Sequence, residues 1–234
     1  MLQNTFLHIP GYSENSEEAL WKGKIMTWDE FIAHSKDAKA KEHILESKER
    51  LSQKDSMFFA NHMLHRHHWR AYPDFMDKCC FLDIETTGLS RDYHTLTMIG
   101  VYNGTQSKVF IDGKNMDEFQ EEIKKYEFMV TFNGYMFDVP FIRAKMPHVR
   151  LPHLHADLRF VLKSLGYTGG LKRIEKELGI KRSEETDGMD GFQAVRLWYK
   201  YKNGDNGALK KLIQYNIEDI ENLKFLMEMS YSEF

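Results

Sequence analysis

The chain has 234 residues, 42% of them hydrophobic and 29% charged, with a formal net charge of −3 and an isoelectric point near 6.4. That length and composition allow one sizeable core with a small appendage, in the α/β class. They exclude a protein that coats a polyanion by bulk charge, so any nucleic-acid contact must be local or helped by bound cations. They also exclude a helical membrane protein, because no apolar run is long enough to span a bilayer.

Residues 1–75 read as a small helical segment and residues 76–234 as the main domain. The opening Met1-Leu2-Gln3-Asn4-Thr5 lacks the basic and apolar regions of a leader peptide. Asn15 with Glu18, and Thr27 with Glu30, form capping-box patterns ahead of apolar helix faces. Ile9-Pro10-Gly11-Tyr12-Ser13 resembles the turn of a helix-hairpin-helix, a DNA-contacting motif, although Ser13 stands where a second glycine is usual. A helical cap on the main domain is the plainer reading. Residues 36–56 read as a solvated helix and linker. His62, His65, His67 and His68 follow, with no cysteine or acid among them to complete a tetrahedral metal set. A basic, aromatic surface for a nucleic-acid strand, or an ordinary helix leading into a sheet, are the other readings.

The main domain opens on Cys79-Cys80-Phe81-Leu82-Asp83-Ile84-Glu85-Thr86-Thr87-Gly88, a buried-strand pattern that runs into two carboxylates and a turn. The adjacent cysteines would face opposite ways on a strand, so a mutual disulfide is not expected and a reducing, cytoplasmic setting is. Thr95–Tyr102 alternates as a second strand, Asn103-Gly104 signals a hairpin, and Ser107–Ile111 forms a third. Met116–Tyr126 has helical spacing, and Glu127–Phe132 reads as a fourth strand parallel to the first, since a helix carries the crossover. Leu154-His155-Ala156 is a short fifth strand, with Asp157 set to cap a helix from Leu158. The rest is helical, with breaks at Gly169-Gly170, Asp187-Gly188 and Gly204–Gly207. This order predicts an RNase H-like mixed five-stranded sheet flanked by helices, an analogy of fold that does not by itself give a function.

Side chains two apart on a strand share a face, so Asp83 and Glu85 meet at its carboxyl end. Two carboxylates 4 Å apart repel by about 4 kcal/mol at an effective dielectric of 20. A shared proton or a bridging cation relieves that cost, and oxygen-only ligation suits Mg²⁺ or Mn²⁺. Solvated acids at a polar strand end are the plain alternative. Asp138 lies just past the fourth strand, beside the first, and Tyr215 and Asp219 share a helix face. Two divalent ions would neutralise such a cluster, one readying a water and the other steadying a departing alkoxide. Tyr201 and Asp205 repeat the Tyr-x-x-x-Asp spacing but straddle Asn203-Gly204, which breaks the facing; Glu221 diverges from Asp219 on the helix and reads as surface.

Asp83-Ile84-Glu85-Thr86-Thr87-Gly88, Asn133–Asp138 and Tyr215–Asp219, in that order, resemble the three motifs of the DEDD exonucleases in their tyrosine variant. Gly169-Gly170-Leu171-Lys172 and Tyr215-Asn216 are similar to a stand-alone branch of that superfamily. The resemblance covers about residues 78–228. It implies a 3′–5′ exonuclease acting on single-stranded ends of DNA or RNA, with two Mg²⁺ or Mn²⁺ ions. By the same resemblance Asp83 bridges both metals, Glu85 and Asp219 hold the one that carries the attacking water, and Asp138 holds the other. Tyr215 orients the water. Thr86 and Leu89 touch the terminal nucleotide, and Thr87 and Asn133 line the same groove. Lys172 and Arg173, with Lys181 and Arg182 nearby, read either as a solvated helix face or as phosphate contacts along the incoming strand. A nuclease of the same fold that cuts internally or at structured junctions, and a nucleic-acid-binding adaptor with an idle site, are the competing readings. A ribose 2′-hydroxyl is recognised by one or two polar groups that the sequence does not locate.

Overall fold

The computed structural model describes residues 2–233. Its sheet has the order β3-β2-β1-β4-β5, built from β1 (Cys79–Thr86), β2 (Leu96–Tyr102), β3 (Ser107–Ile111), β4 (Phe128–Thr131) and β5 (Leu154–Asp157). β1 is central, antiparallel to β2 and parallel to β4, and β5 continues parallel to β4. The mixed sheet and its flanking helices are those of an RNase H-like fold, as the order of elements predicts. Cys79 and Cys80 are both buried free thiols.

Alternation along β1 divides the interior. Cys79 and Phe81 face one side, with β4 residues Phe128 and Val130 and the C-terminal residues Leu223, Leu226 and Met227. Cys80, Leu82 and Ile84 face the other, against Phe119, Ile123, Phe141 and Ile142. The first of these clusters also takes in Phe6, Trp28, Phe31, Ile44 and Phe59 from the N-terminal residues. Burying each such side chain stabilises by about 1.5–3 kcal/mol, and the Trp28 indole N–H donates to Thr5 O at 2.8 Å.

The helices start where local chemistry supplies an N-cap. α1 (Glu14–Lys22) begins at Ser13, whose extended backbone and reciprocal bonds with Ser16 make the capping box. This corrects the expected Asn15/Glu18 pair: both residues already lie inside the helix. α2 (Trp28–His34) starts at the expected Thr27/Glu30 box. Asp37 caps α3 (Ala38–Ser52) and Asp55 caps α4 (Ser56–His62). Residues His65–Ala71 form a 3-10 turn, followed by the one-turn α5 (Tyr72–Phe75). The expected helix over Met116–Tyr126 is shorter, a 3-10 turn at Met116–Glu118 and then α6 (Phe119–Ile123). After β4 come α7 (Asp138–Lys145), α8 (Leu158–Ser164), α9 (Leu171–Glu177), α10 (Gly191–Lys202) and α11 (Asn206–Ser232). Asp157 and Asp205 cap α8 and α11. No helix among the described residues is long and apolar enough to cross a membrane.

Of the four clustered histidines, His67 and His68 are buried and His62 and His65 are exposed. His68 Nδ1 accepts from His155 N at 3.3 Å, and its Nε2 meets Met63 O at 3.2 Å. His155 Nε2 meets Thr131 Oγ1 at 2.8 Å. Burial pushes His68 down to about 4 and His155 down to about 3, so both are neutral hydrogen-bonding groups. None of the four clustered histidines joins a metal-ligand group among the described residues.

Candidate active site

Asp83 and Glu85 sit near the carboxyl end of β1, on the face that α11 crosses. Register explains the close approach of that helix. Gly100 of β2 pairs with Asp83, and the space a Cβ would fill there is taken by the amide of Asn216 on α11. Asn216 is fully buried and donates from Nδ2 to Asp83 Oδ2 at 3.0 Å. With Asn216 against β1 and β2, Tyr215 and Asp219 on the same helix are carried to the tip of the strand. Ligand oxygens of Asp83, Glu85 and Asp219 then lie within 4.8 Å of one another.

Asp138 enters from the other side, at the first residue of α7, and its Oδ1 accepts from Ile84 N at 3.2 Å. It is buried next to Asp83 but stands outside the three-carboxylate group. Burial, and then the Asp83 charge, pushes both Glu85 and Asp138 well above the ordinary carboxylate range. Asp83 itself is raised by burial to about 6, the Lys172 charge opposing. Burial and the nearby carboxylates push the Tyr215 phenol up, so it stays protonated. Such a cluster retains protons unless a cation replaces them. Its all-oxygen donor set, of the right size for one ligand atom from each of three carboxylates, fits a divalent ion of the Mg²⁺ or Mn²⁺ kind.

Two protein cations occupy one wall. Lys172 Nζ and Arg182 Nη2 both pair with Asp219 Oδ1. The Lys172 ammonium lies 4.4 Å from the Tyr215 ring centroid, within cation–π range. Burial lowers Lys172 to about 8. Arg182 also forks onto Glu175, with Nε to Oε2 at 2.8 Å and Nη2 to Oε1 at 2.5 Å. Its side chain is 5% exposed, so the solvated-face reading is corrected for Arg182. Arg182 lies past the end of α9, and its pairs with Glu175 of α9 and Asp219 of α11 hold it inward.

The other expected residues are distributed around this centre. Thr86 is buried, its hydroxyl donating to Gly88 O at 2.8 Å; the Thr87 hydroxyl accepts from Thr95 N at 2.9 Å. Both hydroxyls thus shape the turn after β1. Leu89 projects from that turn, 80% exposed. Asn133 holds a left-handed backbone, φ 65°, and its Oδ1 accepts from Arg159 at 2.6 Å. Asp157 is bound to the backbone N–H groups of Asn133, Tyr135 and Arg159, which is a structural role. Arg173 is exposed beside Lys172 on a 670 Å³ cavity. Glu221 is on the surface, hydrogen-bonded to Ser107.

Asn216, Glu175 and Gly100 carry roles at the site that their positions in the sequence did not suggest. The one usable signal was Gly100, since a glycine inside a strand marks a bulge or the close approach of another group. Residues 80–231 match the family model described as the RNase H superfamily. An uncharacterized protein of Methanocaldococcus jannaschii is 31% identical over 157 residues, spanning 60% of this chain and 88% of that relative. Among solved structures, the family B DNA polymerase from Pyrobaculum calidifontis superposes with a TM-score of 0.53 at 16% identity, over 64% of this chain. The match takes up 24% of the polymerase chain, so it concerns one part of that protein and its fold alone. Brucella melitensis NrnC with bound Mg²⁺ is a more distant neighbour, with a TM-score of 0.47 at 17% identity over 69% of this chain and 75% of the other.

Proposed function

The chain belongs to the RNase H superfamily, and from that premise we propose that it is a metal-dependent 3′–5′ exonuclease of the DEDD type with tyrosine, acting on single-stranded nucleic-acid ends. The observation that carries the reading is the convergence of Asp83, Glu85 and Asp219 within 4.8 Å, with Tyr215 one turn before Asp219 on α11. In this reading residues 76–234 form the catalytic domain and residues 1–75 a helical segment attached to it. Asp83, Glu85, Asp138 and Asp219 would hold two Mg²⁺ or Mn²⁺ ions. Ions bound there would lower the pKa of a water and neutralise charge on the departing oxygen.

The chain's own groups do the rest. Tyr215, kept protonated, offers a hydroxyl that positions the attacking water. Asn216 fixes the Asp83 carboxylate through Oδ2. Lys172, free to leave Asp219 when a stronger cation takes that oxygen, can bind a substrate phosphate. Leu89 and Met136 are 80% and 71% exposed and line one 280 Å³ cavity, a seat for the last base. The buried free thiols suit a reducing, cytoplasmic compartment.

The test uses single-stranded DNA and RNA oligonucleotides labelled at either end, with Mg²⁺ or Mn²⁺. The expected result is stepwise shortening from the 3′ end, lost in Asp83→Asn and on a 3′-blocked strand. Cleavage of the blocked strand would replace this reading with an endonuclease. Binding without any degradation would replace it with an adaptor.

A further inference from the structure

Three surface recesses share walls and form one path away from the active site. Met136, which lines the Leu89 cavity, also lines a 570 Å³ cavity with Asn133, Arg159, Phe160, Lys163 and Tyr167. Phe160 is in turn a wall of a 270 Å³ recess with His65, Trp69 and Tyr135. The path therefore starts two residues before Asp138 and ends on the 3-10 turn of the N-terminal segment. Its floor is a series of rings. The centroids of Tyr135 and Phe160 are 6.5 Å apart, and those of Tyr135 and His65 5.3 Å. Phe160 is 48% exposed, a large apolar ring left on the surface at the junction of two cavities.

Charge runs alongside the rings. Arg159 and Lys163 are four apart on α8 and therefore share a face, and both are exposed. No carboxylate lines the middle cavity. Lys163 has no ion-pair partner among the described residues. The one acid at the inner recess, Asp157, is taken up by three backbone N–H groups. Rings for base faces beside exposed cations for phosphates are what a single strand needs and what a folded protein partner does not.

We propose that this path is the track of the single-stranded substrate. The strand runs from the Leu89/Met136 seat across Phe160, with Arg159 and Lys163 on its phosphates, and reaches the Tyr135/His65 recess. The N-terminal segment, through the exposed His65, supplies the far end of the track and so sets how long a strand is held. This rests on the proposed exonuclease reading, but its test does not require turnover.

Binding is measured by fluorescence anisotropy on Asp83→Asn protein, with a labelled single strand of about eight nucleotides, within the usual site size, and with a dinucleotide. Phe160→Ala should weaken binding of the longer strand about ten-fold, the loss of one stacked base. Lys163→Ala should weaken it and lower the salt slope by about one. Both substitutions are on exposed side chains, so folding is retained, and Lys39→Glu on exposed α3 should bind as the parent does. The longer strand's advantage over the dinucleotide should shrink in both groove variants. If Phe160→Ala and Lys163→Ala bind like the parent, or the parent binds no single strand, the track is wrong. If binding depends on the track while the unaltered protein cleaves nothing, the track stands and the exonuclease reading alone falls.

Discussion

Gly100→Ala is a small change at a crowded point. A Cβ there would run into Asn216 Oδ1 and lie 2.9 Å from its Cγ and 3.2 Å from Ile220 Cδ1. The Gly100 backbone is ordinary strand, so any cost is steric and comes from the amide. Asn216 cannot swing away cheaply, because it is fully buried and bonded to Asp83. Overpacking costs about 1–3 kcal/mol. Losing a hydrogen bond to a charged group adds about 1.5–3 kcal/mol. The sum, on the order of 4 kcal/mol, should lower Tm by roughly 10 °C in a chain of this size. Nuclease activity should fall too, since Asp83 loses the group that orients it. The discriminating measurement is a double-mutant cycle with Asn216→Ala, read by thermal and denaturant unfolding. With the amide gone, the added methyl group fits, so the double variant should be more stable than additivity predicts by about 2 kcal/mol. If Gly100→Ala costs the same in both backgrounds, the glycine is not there for Asn216 and the account of how α11 is seated is wrong.

The metal-free protein should show a stability maximum near about pH 6, measured by thermal unfolding in chelator. Burial holds His8 and His155 down to about 3 and His67 and His68 down to about 4, so below the ordinary imidazole pKa the unfolded chain takes up protons that the folded chain refuses, and these four outweigh the three raised site carboxylates up to about pH 6. Stability then falls toward acid by about 1.4 kcal/mol per pH unit for each histidine. Asp83, raised to about 6, acts in the opposite sense. Its contribution is full below its ordinary pKa and is lost as pH rises to 6, with Glu85 and Asp138 extending the loss upward. Added Mn²⁺ should flatten that alkaline limb and leave the acid limb unchanged. Asp83→Asn should stabilise the metal-free protein at neutral pH by about 1–3 kcal/mol, because a buried charge among like charges is removed, and should abolish most of the Mn²⁺ effect. Arg182→Met should destabilise by about 3–5 kcal/mol, since Glu175 is left buried without its cation, and Glu175→Gln in the same chain should recover most of the loss.

The elements that rest on local periodicity were legible in the sequence. Asp83 and Glu85 are two apart on a strand, Tyr215 and Asp219 four apart on a helix, and those spacings decide facing without reference to the rest of the chain. The β4 crossover follows from the helical spacing before it. The Lys172, Glu175 and Arg182 wall was not legible, because charged residues around α9 look the same in sequence whether they meet water or another helix. What holds Arg182 inward is its pairing with Glu175 of α9 and with Asp219 of α11, the latter 37 residues away. The start of α1 was misplaced for a related reason. Asn15 and Ser13 are both competent caps, and the choice depends on where the chain leaves the Ile9–Tyr12 turn, which is set by packing of Ile9 in the core.

The charge balance of the site bears on how many ions it takes. Asp83, Glu85, Asp138 and Asp219 face Lys172 and Arg182, and Arg182 is already shared with Glu175. Only Asp219 is paired directly with cationic side chains, whereas Asp83 is bonded to a neutral amide and Glu85 is pushed well above the ordinary carboxylate range. One divalent ion can therefore take an oxygen from each of Asp83, Glu85 and Asp219 and displace the proton of Glu85 at little cost. A second must either expel Lys172 from Asp219 or crowd Asp138, and it gains enough only when an anionic phosphate arrives to share its charge. Calorimetric titration of the free protein with Mn²⁺ at neutral pH should thus show one ion bound tightly with proton release. The second should appear when a non-hydrolysable single strand is present, and Lys172→Met should strengthen it without the strand. Two equivalent ions in the free protein would refute this balance and with it the assignment of Lys172 as the cation that yields.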